Sequence, residues 1–188
     1  LFLMKTLKRL GATMTFMVDV VHQMRYLQPD IKDKSLLIQR GLWADTVLLM
    51  KDYGFDVQLH LHPQWHNAKQ KGQHFILNSN WNIGRYSPED QEVMVGEGID
   101  YLEQLLRQVD PAYKTIAFKG GSWGLQPSDN LFPILEKKGI RIVMGVRNGL
   151  QLPLSGTDYT NTEETIMPYY PDYSDIRKIA SEKKGIVI

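Results

Sequence analysis

Residues 55–62 read Phe-Asp-Val-Gln-Leu-His-Leu-His and alternate strictly, apolar at Phe55, Val57, Leu59 and Leu61 and polar at Asp56, Gln58, His60 and His62. Alternation with period two is the mark of a strand with one face in a core. Pro63 ends it, because proline has no N–H to give to a ladder. The two histidines therefore share one face and fall at the strand's last residues.

The rest of the chain alternates helices with short apolar strands. Leu3, Leu7 and Leu10 have helical spacing, with Gly11 as C-cap. Thr13–Val20 reads as a strand, His22–Leu27 and Lys34–Tyr53 as helices, and Phe55–His62 as the next strand. Residues 63–86 read as a long loop with an irregular helix. Ser87-Pro88-Glu89-Asp90 is a helix start, with Ser as N-cap, Pro in the first turn and acids behind it, and that helix runs towards Gln108. Thr115–Phe118 is a third strand leading into Lys119-Gly120-Gly121-Ser122-Trp123. Ser128–Lys138 reads as a helix, Ile140–Val146 as a strand, 147–173 as loop, Ser174–Lys184 as a last helix, and a fifth strand starts at Ile186. Strand–helix alternation implies parallel strands and an α/β fold. The 188 residues suit one domain, 1–188. The chain opens within a helical pattern at Leu1 and stops at a strand start, so both ends are expected to be cut from something longer.

Composition excludes several function classes. Lys plus Arg number 22 against 21 Asp plus Glu, for a net charge of +1, so no nucleic-acid footprint is expected. Cysteine is absent, which removes disulfides and thiolate metal sites. No apolar run approaches the ~20 residues of a bilayer span, and no secretory signal is legible, so no membrane span and a cytoplasmic location are expected.

In an α/β barrel, functional groups gather at the C-terminal strand ends. Asp19, His60, His62 and Lys119 all fall there. His-x-His on one strand face can ligate one ion, and an acid from a neighbouring strand, Asp19, supplies a third ligand, the donor pattern of a catalytic zinc site. His66 is an alternate ligand through the spacing His62-x-x-x-His66. Asp19 equally suits an N-cap. Lys119 reads as an electrostatic clamp or a solvated lysine. His22 and His74 have no ligand spacing and read as surface or core histidines. Gly120-Gly121 lets backbone approach a ligand. Trp65, Trp81, Trp123, Tyr169 and Tyr170 lie in loops, where they stack on sugar faces or cover core.

With these residues in hand, the chain resembles the polysaccharide deacetylase (NodB-homology) family, in the branch with a Leu-His-Leu-His-Pro-x-Trp signature. Ala12–Asp19 resembles its Ala-Thr-Phe-Phe-Val strand, Gly54–Pro63 its Gly-His-Glu-Ile-x-x-His segment, and Phe118–Trp123 its Phe-Arg-x-Gly/Pro segment, with Leu131–Val146 as the helix and strand that follow. The resemblance implies a distorted (β/α) barrel, here an incomplete segment of one. It also implies a divalent metal, commonly zinc, and attack of a metal-bound water on the N-acetyl carbonyl of a carbohydrate substrate. His60 falls on the metal-binding histidine. The family's second histidine falls on Gln64, with His62 as its substitute. Lys119 replaces the usual Arg. Trp65, Gly121 and Trp123 are, from their loop positions, the candidate substrate-binding residues. The family's Thr-Phe-Asp-Asp strand would precede Leu1 and its Leu-x-His strand would follow Ile188, so Asp19 is a stand-in for the ligating acid, and residues 1–188 alone are expected to be weak in catalysis. An amidohydrolase-type metal enzyme also uses His-x-His at a strand end, but residues 115–188 contain no further His. A carbohydrate-binding domain without catalysis is the non-enzymatic alternative.

Overall fold

In the computed structural model of the chain, residues 2–72, 74–164 and 166–188 are described; Leu1, read above as part of a helix, lies outside them, as do Gln73 and Thr165 of the two expected loops. The first half runs α1 (Phe2–Arg9), β1 (Thr15–Asp19), α2 (Val21–Arg25), α3 (Lys34–Asp52), β2 (Asp56–Leu61), the hairpin β3 (Lys69–Lys71) and β4 (His74–Ile76), and α4 (Pro88–Leu106). The second half runs β5 (Ala117–Gly120), α5 (Leu131–Lys137), β6 (Ile142–Met144), the hairpin β7 (Gln151–Leu152) and β8 (Thr157–Asp158), and the pair β9 (Pro171–Asp172) and β10 (Asp175–Ile179).

Strands β1, β2, β5 and β6 form one parallel sheet in chain order. The α/β class expected from the alternation is therefore what the chain adopts. Val187 adds a parallel bridge beside Ile142, at the place expected for a fifth strand. The local signals act as read. Asp90 N–H donates to Ser87 Oγ at 3.1 Å, and Gly54, at φ +84°, turns the chain from α3 into β2.

One sheet face is apolar throughout. Val57, Leu59, Leu61, Phe118 and Val143 share a core with Val47 of α3, with Met94, Val95 and Leu102 of α4, and with Leu131, Phe132 and Leu135 of α5. Burying each such Leu or Phe contributes ~1.5–3 kcal/mol. Gly98 lets α4 lie close on the sheet, because a Cβ there would stand 3.1 Å from Leu61 and 3.3 Å from Val20. The alternate residues point the other way and are polar or exposed, among them Thr15, Asp19, His60, Lys119, Ile142 and Met144. Among the described residues no helix is long and apolar enough to cross a membrane.

Three expectations need correction. Residues 147–173, expected as loop, carry the β7–β8 hairpin, a 3-10 turn at Pro153–Ser155 and strand β9. Residues 63–86 hold short 3-10 turns at Pro63–Trp65 and Ile83–Arg85 and, between them, the β3–β4 hairpin. Ser174–Lys184 is not a helix. Asp172 accepts from Ser174 N–H at 2.9 Å and from Ser174 Oγ at 2.7 Å, which reverses the chain and lays β10 antiparallel to β9. Asp-x-Ser is both an N-cap signal and a turn signal. Here the turn wins because it buries Ile176 completely, with the Tyr169 hydroxyl donating to the Ile176 carbonyl.

Candidate metal-binding pair

Strand pairing puts Asp19 opposite His60 and His60 opposite Lys119, so three polar residues stand side by side at the C-terminal edge of the sheet. His62 follows just past β2, where the backbone turns into the Pro63–Trp65 turn. The structure thus brings together Asp19, His60, His62 and Lys119, and it adds His22 from the first turn of α2.

The carboxylate of Asp19 is the hub. Its Oδ1 accepts from His62 N–H at 2.9 Å and, at 3.4 Å, from Val21 N–H at the start of α2. Its Oδ2 lies 2.7 Å from His22 Nδ1 and 3.4 Å from His62 Nδ1. Burial works to raise the Asp19 pKa, but the hydrogen bonds from His22 and His62 outweigh it and hold the carboxyl well below the usual carboxylate range.

His60 Nδ1 lies 2.7 Å from the Lys119 carbonyl, and His60 Nε2 lies 3.0 Å from His62 Nε2. A carbonyl oxygen only accepts, so His60 Nδ1 carries the hydrogen. The Asp19 carboxylate makes the same demand on His62 Nδ1. Two neutral rings held this way turn two Nε2 lone pairs on one another. A shared proton or a cation between them removes that repulsion. Burial lowers the His60 pKa, while the Asp19 hydrogen bond raises that of His62 against its burial, so of the two rings His62 is the one that takes up a proton first.

Around this pair the chain is tightly fitted. A Cβ at Gly121 would lie 2.7 Å from both His62 Cδ2 and the Leu61 carbonyl oxygen, so only glycine permits this approach. Ser122 and Trp123 follow with φ of 50° and 55°, two consecutive left-handed residues at a cost of about 1–3 kcal/mol each. The turn they make presents the Trp123 ring, with Lys119 Nζ 5.3 Å from its centroid. Lys119 has no carboxylate within ion-pair distance among the described residues, and burial lowers its pKa.

The other residues singled out in the sequence lie elsewhere. His66 Nε2 is 3.4 Å from Asp90 Oδ1, outside the cluster. Trp65 packs on His22, Tyr26 and Phe75 with centroid distances of 5.7, 6.0 and 5.2 Å. A cleft of about 640 Å³ lies beyond Trp65, lined by Met24, Arg25, His66, Val93 and Glu97, away from the His60–His62 pair. His22 is the residue that ligand spacing missed. The local signal was Asp19-x-x-His22, which folds a ring back on the carboxylate where a helix starts.

Among the described residues no group of three or more His, Asp or Glu side chains is arranged to hold an ion together. What the chain offers is a pair of Nε2 atoms, each with its Nδ1 already bonded. Outer partners of this kind fix the tautomer of metal-ligating histidines. The pair fits two coordination positions of a zinc ion. The chain matches no protein-family model and no curated protein.

Proposed function

We propose that this chain is a metal-dependent hydrolase of the polysaccharide deacetylase type, which removes N-acetyl groups from a carbohydrate. The observation that carries the reading is the 3.0 Å approach of His60 Nε2 to His62 Nε2, with both Nδ1 atoms turned to oxygen acceptors. A barrel is supported by the strand order, which follows chain order without reversal, and by the single apolar face shared with α3, α4 and α5. A doubly wound sheet reverses its strand order at a switch point.

His60 and His62 would hold the ion. When bound, zinc would supply an electrophile for the acyl oxygen and lower the pKa of water. Asp19 keeps the His62 ring turned towards His60. Lys119 places an ammonium where negative charge develops on the acyl oxygen, in a half-buried position where charge is less screened than in water. Trp123 offers a flat ring below Lys119 for a sugar face.

The test is acetate release from a panel of N-acetylated sugars with and without added zinc. Weak but zinc-dependent release is expected. Lys119→Met is expected to lower kcat about 10²-fold with the thermal midpoint little changed, the scale of losing one electrostatic stabiliser. Activity within threefold of the parent assigns Lys119 to solvent. Sugar binding without zinc-dependent release replaces the hydrolase reading with a carbohydrate-binding one.

A further inference from the structure

We infer that His22 is a positioning residue that acts through Asp19 to fix the ring of His62. The role goes beyond the metal reading, and only one arm of its test depends on that reading.

His22 is not itself placed to take an ion, because both ring nitrogens are engaged. Nδ1 bonds Asp19 Oδ2 at 2.7 Å, and Nε2 bonds the side-chain amide nitrogen of Gln23, which is 3% exposed. A carboxylate only accepts, so His22 Nδ1 carries a hydrogen aimed at Asp19. The ring is braced on two sides, by Tyr26 at 5.8 Å and Trp65 at 5.7 Å between centroids.

The consequence reaches His62 through the carboxylate. Asp19 has two side-chain torsions. The bond from His62 N–H pins Oδ1, and the bond from His22 pins Oδ2. With both oxygens held the carboxylate plane cannot turn, and Oδ2 stays within 3.4 Å of His62 Nδ1. That last contact is long and holds the imidazole only while the carboxylate is fixed. Remove the His22 donor and Oδ2 is free to turn to water, which leaves His62 Nδ1 without a fixed acceptor and its tautomer unset.

Two substitutions separate the donor from the ring. His22→Asn keeps an N–H donor near the Nδ1 position and loses the ring, whereas His22→Phe keeps an aromatic ring and loses the donor. In metal-free protein, ¹⁵N imidazole spectra recorded above the His62 protonation range should show a single Nδ1–H form of His62 in the parent and in His22→Asn, and a mixture in His22→Phe. Zinc affinity, read by competition with a chromophoric chelator, should fall about tenfold in His22→Phe, the low end of what loss of an outer partner costs, and stay within about threefold in His22→Asn. A His22→Phe protein with parental His62 spectra overturns the inference. So does a His22→Asn protein that folds yet shows the mixture, since ring packing is then what matters. If the parent binds no zinc, the metal reading fails, and the ring spectra alone decide the role of His22.

Discussion

Replacing His60 and His62 together by alanine is expected to abolish stoichiometric zinc binding and to leave a cooperative thermal transition. The two rings stand at the edge of the sheet, outside the apolar cluster that holds the fold together, so their loss opens no cavity among Leu59, Leu61 and Phe118. Closed protein zinc sites with four ligands bind with roughly 10–16 kcal/mol. Removing two donors is therefore expected to weaken binding by about 5 kcal/mol, or more than ~10³-fold. Zinc analysis after dialysis and a melting curve decide the matter, and undiminished metal in the double variant refutes the assignment. The same site fixes a pH dependence. Zinc must displace the proton that the Asp19 hydrogen bond keeps on His62, so apparent affinity should fall as pH drops through the raised His62 pKa. In Asp19→Ala that decline should move to lower pH, because the group that raises the His62 pKa is gone.

The rim was legible because strands have a period of two. That period alone put His60 and His62 on one face and Asp19 and Lys119 on the neighbouring strand ends, and the parallel pairing of β1, β2 and β5 then set them side by side. Pairing register is what a single strand cannot announce, yet the buried faces of Val57, Leu59 and Phe118 leave little freedom in it. Where reading failed, one residue type served two local structures. Asp172 and Ser174 make a turn as readily as a helix cap, and the choice rests on where Ile176 finds its core, which is a tertiary fact. His22 was hidden for a different reason. It has no partner at ligand spacing, and its role follows from a carboxylate shared by Val21, His22 and His62. Trp65 read either as a sugar platform or as cover for the core, and in the structure its ring lies against His22, Tyr26 and Phe75. Loop aromatics carry no period that distinguishes stacking on a ligand from stacking on the β3–β4 hairpin.

Asp19→Ala is expected to be the most destabilising single change at the site. The side chain is 11% exposed and accepts from His22, from His62 N–H and from the His62 ring. Truncation leaves the His62 amide and His22 Nδ1 without their acceptor, and hydrogen bonds to a charged group contribute about 1.5–3 kcal/mol each, so a loss of about 3–5 kcal/mol is expected. At ~2–4 °C per kcal/mol for a chain of this size, the midpoint should fall by roughly 6–20 °C at neutral pH. The pH profile gives the sharper test. The folded-state pKa of Asp19 is depressed, so its contribution is present above the ordinary value of 3.8 and is lost as pH falls towards the folded value. His60 is also depressed, from 6.5, and its contribution likewise declines as pH falls below that value. His62 is raised, so its contribution is complete below 6.5 and is lost as pH rises through the folded pKa. The parent should therefore lose stability on both sides of neutrality. In Asp19→Ala the Asp19 limb disappears outright, and the alkaline limb disappears with it, because the Asp19 hydrogen bond is what lifts His62. At this site an acid limb should remain, from His60 and now also from His62, because burial and Lys119, the influences left on His62, both lower its pKa. Urea unfolding of parent and variant across acid, neutral and alkaline buffers measures this, and a variant within about 1 kcal/mol of the parent, with the alkaline limb intact, would show that Asp19 is not the hub the geometry makes it.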